Sequence, residues 1–94
     1  MEITEVKVYP SKEEGKLKAY ATVVFDDCFA VRDLKVIDGI KGYFVSMPSR
    51  RRKDGTYKDV AHPTNPEMRG VIEHKVIEEY NRILTHGENL GYEV

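Results

Sequence analysis

The hydrophobic period of this chain changes once, at His62-Pro63, and that change sets the order of its elements. Before it the pattern has period two. Leu17, Ala19, Ala21, Val23 and Phe25 alternate with Lys18, Tyr20, Thr22, Val24 and Asp26, which is the signature of a half-buried strand. Ile3 to Tyr9, Phe29 to Ile37 and Gly42 to Met47 read as further strands. Turn signals punctuate them: Pro10 to Gly15, Asp26-Asp27 and Asp38-Gly39. After His62-Pro63 the period becomes helical. Asn65 suits an N-cap, Pro66 the first helical position, and Glu67 the positive end of the helix dipole. Val71, Ile72, Val76, Tyr80, Ile83 and Leu84 form an apolar stripe, with Arg69, Glu73, Lys75, Glu78, Glu79 and Arg82 on the remaining surface. The expected element is an amphipathic helix of about five turns, stopping near Thr85-His86-Gly87.

Strands first and a helix last predict an α+β fold. The sheet should be mostly antiparallel, of about five strands, because the connections are too short for parallel crossovers; the amphipathic helix follows it. One sheet face takes the helix, and the other face or an edge is left for a partner. A chain of 94 residues is one domain. Residues 1–84 form its body, and 85–94 are expected to be a loosely held tail. So small a core makes a partner subunit advantageous.

Charge supplies the one functional signal. Ser49 to Lys58 contains Arg50, Arg51, Arg52, Lys53 and Lys58 against one acid, Asp54, so it carries about +4 in a chain of formal net charge -1. A positive patch on an acidic body is an electrostatic footprint for a polyanion. Asp54-Gly55 favours a two-residue type I′ hairpin turn. That turn would set Arg52 opposite Tyr57, Arg51 opposite Lys58 and Arg50 opposite Asp59, and would leave Arg51, Lys53 and Lys58 on an acid-free face. Arginine forks grip phosphate oxygens in pairs, Tyr57 could stack on an unpaired base, and Arg69 and Lys75 could extend the patch from the helix. The competing reading is a charged guard on an exposed edge strand, although four consecutive cations exceed what a guard needs.

Other chemistry is missing from the pattern. His62, His74 and His86 lack metal-ligand spacing, so no metal and no cofactor are expected. Gly39-Ile40-Lys41-Gly42 is not a phosphate loop, and Ser46 and Ser49 lack a nucleophile elbow. Asp26, Asp27, Asp33 and Asp38 read as turn, cap or surface acids. The chain is therefore expected not to be an enzyme and to take no small-molecule substrate. Cys28 is expected to be a structural thiol, fitting a reducing cytoplasm. The acidic start Met1-Glu2-Ile3-Thr4-Glu5 lacks the marks of a secretory signal, and no apolar run is long enough for a membrane span.

Val36-Ile37-Asp38-Gly39, Gly42-Tyr43-Phe44-Val45-Ser46-Met47-Pro48-Ser49-Arg50, Asp54-Gly55 and Asp59-Val60-Ala61-His62-Pro63 together resemble the central block of the bacterial SpoVG family, the stage V sporulation protein G or septation proteins. The resemblance runs from the first strand to about Leu84. It implies a small, cytoplasmic, homodimeric protein with an antiparallel sheet and a C-terminal helical segment. Such a protein would act as a site-preferring DNA- and RNA-binding regulator linked to septation and, in spore formers, to sporulation. By position it points to Arg50, Arg51, Arg52 and Lys53 as contacts, and beyond them to Lys58, Arg69 and Lys75. The alternative is a protein-interaction module of the division machinery that does not bind nucleic acid.

Overall fold

The computed structural model describes residues 1–86. Four strands, β1 (Ile3–Pro10), β2 (Leu17–Phe25), β3 (Phe29–Gly39) and β4 (Gly42–Ser46), form an antiparallel meander in the order β1-β2-β3-β4. Two short strands, β5 (Ser49–Arg51) and β6 (Tyr57–Asp59), pair with each other as a separate ribbon, and α1 (Pro66–His86) follows. The α+β expectation holds, with the strands divided four and two. Pro48 stands between β4 and β5. It has no N–H to donate, so the chain leaves the sheet there and the ribbon pairs with itself.

The β2 alternation is realised side chain by side chain. Ala19, Ala21, Val23 and Phe25 are buried, while Tyr20, Thr22 and Val24 lie on the opposite face. Cross-strand register places Val8, Ala21 and Leu34 in one inward row and Ala19, Val36 and Val45 in another. Alanines at the centre of the inner face leave room for α1, which packs across β1, β2 and β4 through Ile72, Val76, Tyr80 and Ile83. Burying each such aliphatic side chain contributes about 1.5–3 kcal/mol. Val71 and Leu84, expected in the stripe, are exposed at 43% and 52%. Val71 lies about 100° beyond one edge of the buried arc, and Leu84 about 40° beyond the other.

Asn65 caps the helix as expected, its Oδ1 accepting the Met68 N–H at 2.7 Å. The helix runs to His86, in keeping with the expected stop near Thr85-His86-Gly87. The expectation for residues 87–94 lies outside the described residues. Glu73 does more than the surface role its charge suggested. Its Oε2 accepts the Val45 N–H at 3.1 Å, satisfying an outward donor of the edge strand β4. Glu73→Ala leaves that half-buried donor unpaired and should cost about 1–3 kcal/mol, read as a lower melting temperature, while Glu73→Gln keeps an acceptor and should cost less. Beside it, Tyr43 meets Tyr80 edge to face at 5.3 Å and 88°. Burial of Tyr80, and then the neighbouring Tyr43, raises the Tyr80 hydroxyl pKa, so that ring stays neutral.

Asp26 and Asp27 make the expected tight turn, both with positive φ (52° and 55°), and the Cys28 N–H donates to the Phe25 carbonyl at 3.0 Å. Cys28 is exposed in this turn, not packed in the interior as a structural thiol would be, because the turn directs it to solvent. The second turn falls two residues later than Asp38-Gly39 suggested. Asp38 pairs with Tyr43 and Gly39 with Gly42, so Ile40 and Lys41 form the tip. Gly39 is needed for close approach instead: a Cβ there would lie 2.9 Å from Phe44 Cε1. The sheet face away from α1 carries a row that crosses all four strands, Tyr9, Tyr20, Lys35 and Ser46.

Candidate nucleic-acid interface

The basic stretch forms a hairpin closed at its base by the Val60 N–H, which donates to the Pro48 carbonyl at 2.7 Å. Ser49 faces Asp59, Arg50 faces Lys58 and Arg51 faces Tyr57. Beyond them the Arg52 N–H donates to the Thr56 carbonyl at 2.6 Å, and the Gly55 N–H donates to the Arg52 carbonyl at 3.0 Å. The loop therefore has three residues, Lys53-Asp54-Gly55, not the two of a type I′ turn. Gly55 alone in it has positive φ, at 92°. Asp54 does not adopt the left-handed conformation that the type I′ turn requires. Its Oδ1 instead accepts the Thr56 N–H at 2.9 Å and the Thr56 hydroxyl at 2.7 Å. Those bonds, the hydroxyl first, hold the Asp54 carboxyl below its ordinary pKa.

The longer loop slips the register by one residue and redistributes the charges. Arg50 and Lys58 share a face, and alternation adds Arg52 and Thr56 to it. Arg51 and Tyr57 lie on the other face with Ser49 and Asp59. The acid-free face is thus Arg50, Arg52 and Lys58, which corrects the grouping of Arg51, Lys53 and Lys58. Arg50, Arg51, Arg52, Lys53 and Lys58 are all exposed, and Tyr57 is 69% exposed. Among the described residues none of the five cations is in an ion pair; the two pairs present are Lys7–Glu5 and Arg82–Glu79. Gly55→Val would force a β-branched side chain into a left-handed conformation, at about 1–2 kcal/mol. We expect it to disorder the loop and weaken polyanion binding in an anisotropy titration, with the melting temperature of the sheet and helix barely changed.

Arg69 and Lys75 are exposed on α1. Six residues apart, they are rotated about 120° from each other around the axis and do not make one patch. The helix packs on the sheet, whereas the ribbon's main backbone contacts are internal. Two cations that sequence reasoning passed over lie nearer to the ribbon. Arg32 and Lys35, with Tyr20, line a groove whose other wall is the hairpin base at Pro48, Ser49 and Val60. Alternation alone places Tyr20 and Lys35 outward, but only the register makes them neighbours. His62 and His74 are exposed, and His62 Nδ1 lies 2.9 Å from the Pro63 carbonyl. No metal-binding cluster of His, Cys, Asp and Glu occurs among the described residues, and no described helix is long and apolar enough to cross a membrane.

The SpoVG family model matches residues 1–82, which covers the sheet, the ribbon and most of α1. The chain belongs to the SpoVG family. It is 60% identical over 87 residues to "Putative septation protein SpoVG" of Anaeromyxobacter sp. (strain Fw109-5), covering 93% of this chain and 89% of that protein. The like-named protein of Myxococcus xanthus is 55% identical over 84 residues, 89% of this chain and 84% of the relative. That of Bdellovibrio bacteriovorus is 53% identical over 91 residues, 96% and 83% of the two chains. The basic ribbon of this SpoVG-family chain thus lies inside the matched region, between the sheet and the helix.

Proposed function

We propose that this chain is a nucleic-acid-binding regulatory protein linked to control of septation. The observation that carries the reading is the ribbon itself: five exposed, unpaired cations, three of them on an acid-free face, on a chain whose residues outside Ser49–Lys58 sum to about -5. Exposed guanidinium groups suit phosphate oxygens, and an acidic body discourages a second, unspecific binding surface. Septation enters from the names of the relatives. Arg50, Arg51, Arg52, Lys53 and Lys58 are the proposed phosphate contacts, and Tyr57 beside Arg51 is a stacking candidate. Arg69 and Lys75 are assigned a lesser part, since they stand apart on the helix.

The reading includes a cytoplasmic homodimer acting on DNA or RNA. A second copy would double the phosphate contacts. Large apolar side chains left on the surface, such as Phe29 at 62% and Ile40 at 100% exposure, offer area for it to cover. The test is an anisotropy titration of labelled DNA and RNA with the purified chain. Saturable binding of at least one is expected at low salt. Failure to bind either, together with nuclease-resistant capture of a division protein, would favour the protein-interaction reading instead.

A further inference from the structure

We propose that the groove between the uncovered sheet face and the base of the ribbon holds unpaired bases of a single-stranded nucleic acid. This rests on the nucleic-acid reading above and names the form of ligand that the surface fits. The groove measures about 540 Å³ and is open to solvent, within the ~300–1,000 Å³ typical of ligand sites. Its sheet side includes Tyr20, Arg32 and Lys35, together with the apolar Phe29, Ala30 and Val31 of β3. Tyr20 is opposite Lys35 on β3 and Tyr9 on β1, so two phenol rings and an ammonium group occupy one row of the outer face. Arg32 reaches the same face through a bulge: the β2–β3 register shifts between Ala21 and Val23, and Asp33 takes a φ of 67°. Asp33 also lines the groove, so the site carries one acid against two cations.

The opposite wall supplies the continuity. Ser49, the first residue of β5, borders the groove, and the next four residues along the chain are Arg50, Arg51, Arg52 and Lys53. A strand gripped by its phosphates on the ribbon can lay its next bases against Tyr20, with Arg32 and Lys35 meeting the intervening phosphates. Aromatic faces beside a cationic track are what single strands use, because their bases expose a ring face that a duplex keeps stacked. A duplex can engage the ribbon but not this floor.

The test compares the full chain with Tyr20→Ala, Tyr20→Phe and Tyr20→Trp, using a labelled oligouridine and a labelled duplex of the same length at one salt concentration. Tyr20→Ala should weaken oligouridine binding about 5- to 140-fold, the range that ~1–3 kcal/mol of stacking converts to, and leave duplex binding unchanged. Tyr20→Phe keeps the ring and should bind both like the parent chain. The chain has no tryptophan, so the indole of Tyr20→Trp reports alone. Its emission should be quenched by oligouridine and not by duplex, a readout that does not depend on how Tyr20→Ala folds. Unchanged oligouridine affinity in Tyr20→Ala, equal losses on both probes, or an indole unmoved at saturation would overturn the groove and leave the ribbon reading standing. A parent chain that binds neither probe would overturn both.

Discussion

Replacing Arg50, Arg51, Arg52 and Lys53 together by alanine will reduce affinity for DNA and RNA by about three to four decades at 0.1 M salt. The figure follows from counterion release: each neutralised phosphate contributes a slope of about -0.9 in log affinity against log salt, and four of the five proposed contacts are removed. The residual slope, from Lys58, should be near -1. The fold should survive, because all four side chains are exposed and none holds an ion pair among the described residues. Surface changes of this kind usually stay within about 0.5 kcal/mol each. Circular dichroism and the melting temperature of the variant should therefore match the parent chain. Loss of binding accompanied by loss of structure would instead mean that the ribbon is part of the folding unit.

Leu34→Ala tests the other half of the account, the scaffold. Leu34 is 1% exposed at the centre of β3, opposite Ala21 and against the cleft that Met68 and Ile72 also line. The residue it faces on β2 is already an alanine, Ala21, so little directly opposite can collapse into the space. The expected cost is about 2–5 kcal/mol. A domain of this length holds only about 5–14 kcal/mol in total. The melting temperature should fall by on the order of 10–30 °C. Ile40→Ala, a comparable truncation at the solvent-exposed hairpin tip, should leave it unchanged. Equal effects at the two positions would contradict the assignment of the core.

The scaffold was legible because burial writes a period into the chain. The β2 alternation, the Asp26-Asp27 turn and the Asn65 cap each depend on residues close together in sequence, and each is found where local chemistry puts it. The ribbon register was not legible. Asp54-Gly55 fits a two-residue turn equally well, and the outcome was decided by two bonds from Thr56 to Asp54. That slip moved Arg51 and Lys58 to opposite faces. Val71 and Leu84 satisfied helical spacing but fell outside the narrower arc of the helix that the sheet covers. The bond from Val45 to Glu73 joins residues 28 apart, and no local pattern announces it. The groove at Tyr20 depends on strand pairing in the same way. Tyr20, Arg32 and Lys35 look like ordinary solvent-face residues until β2, β3 and the hairpin base are placed side by side.

The most direct measurement is the salt dependence of binding by the unmodified chain, taken with DNA and RNA of matched sequence. The five proposed phosphate contacts per copy predict a slope near -4.5 on duplex DNA, roughly doubled if two copies bind together. Affinity that holds constant from low to high salt would contradict the central claim that exposed ribbon cations grip a phosphate backbone.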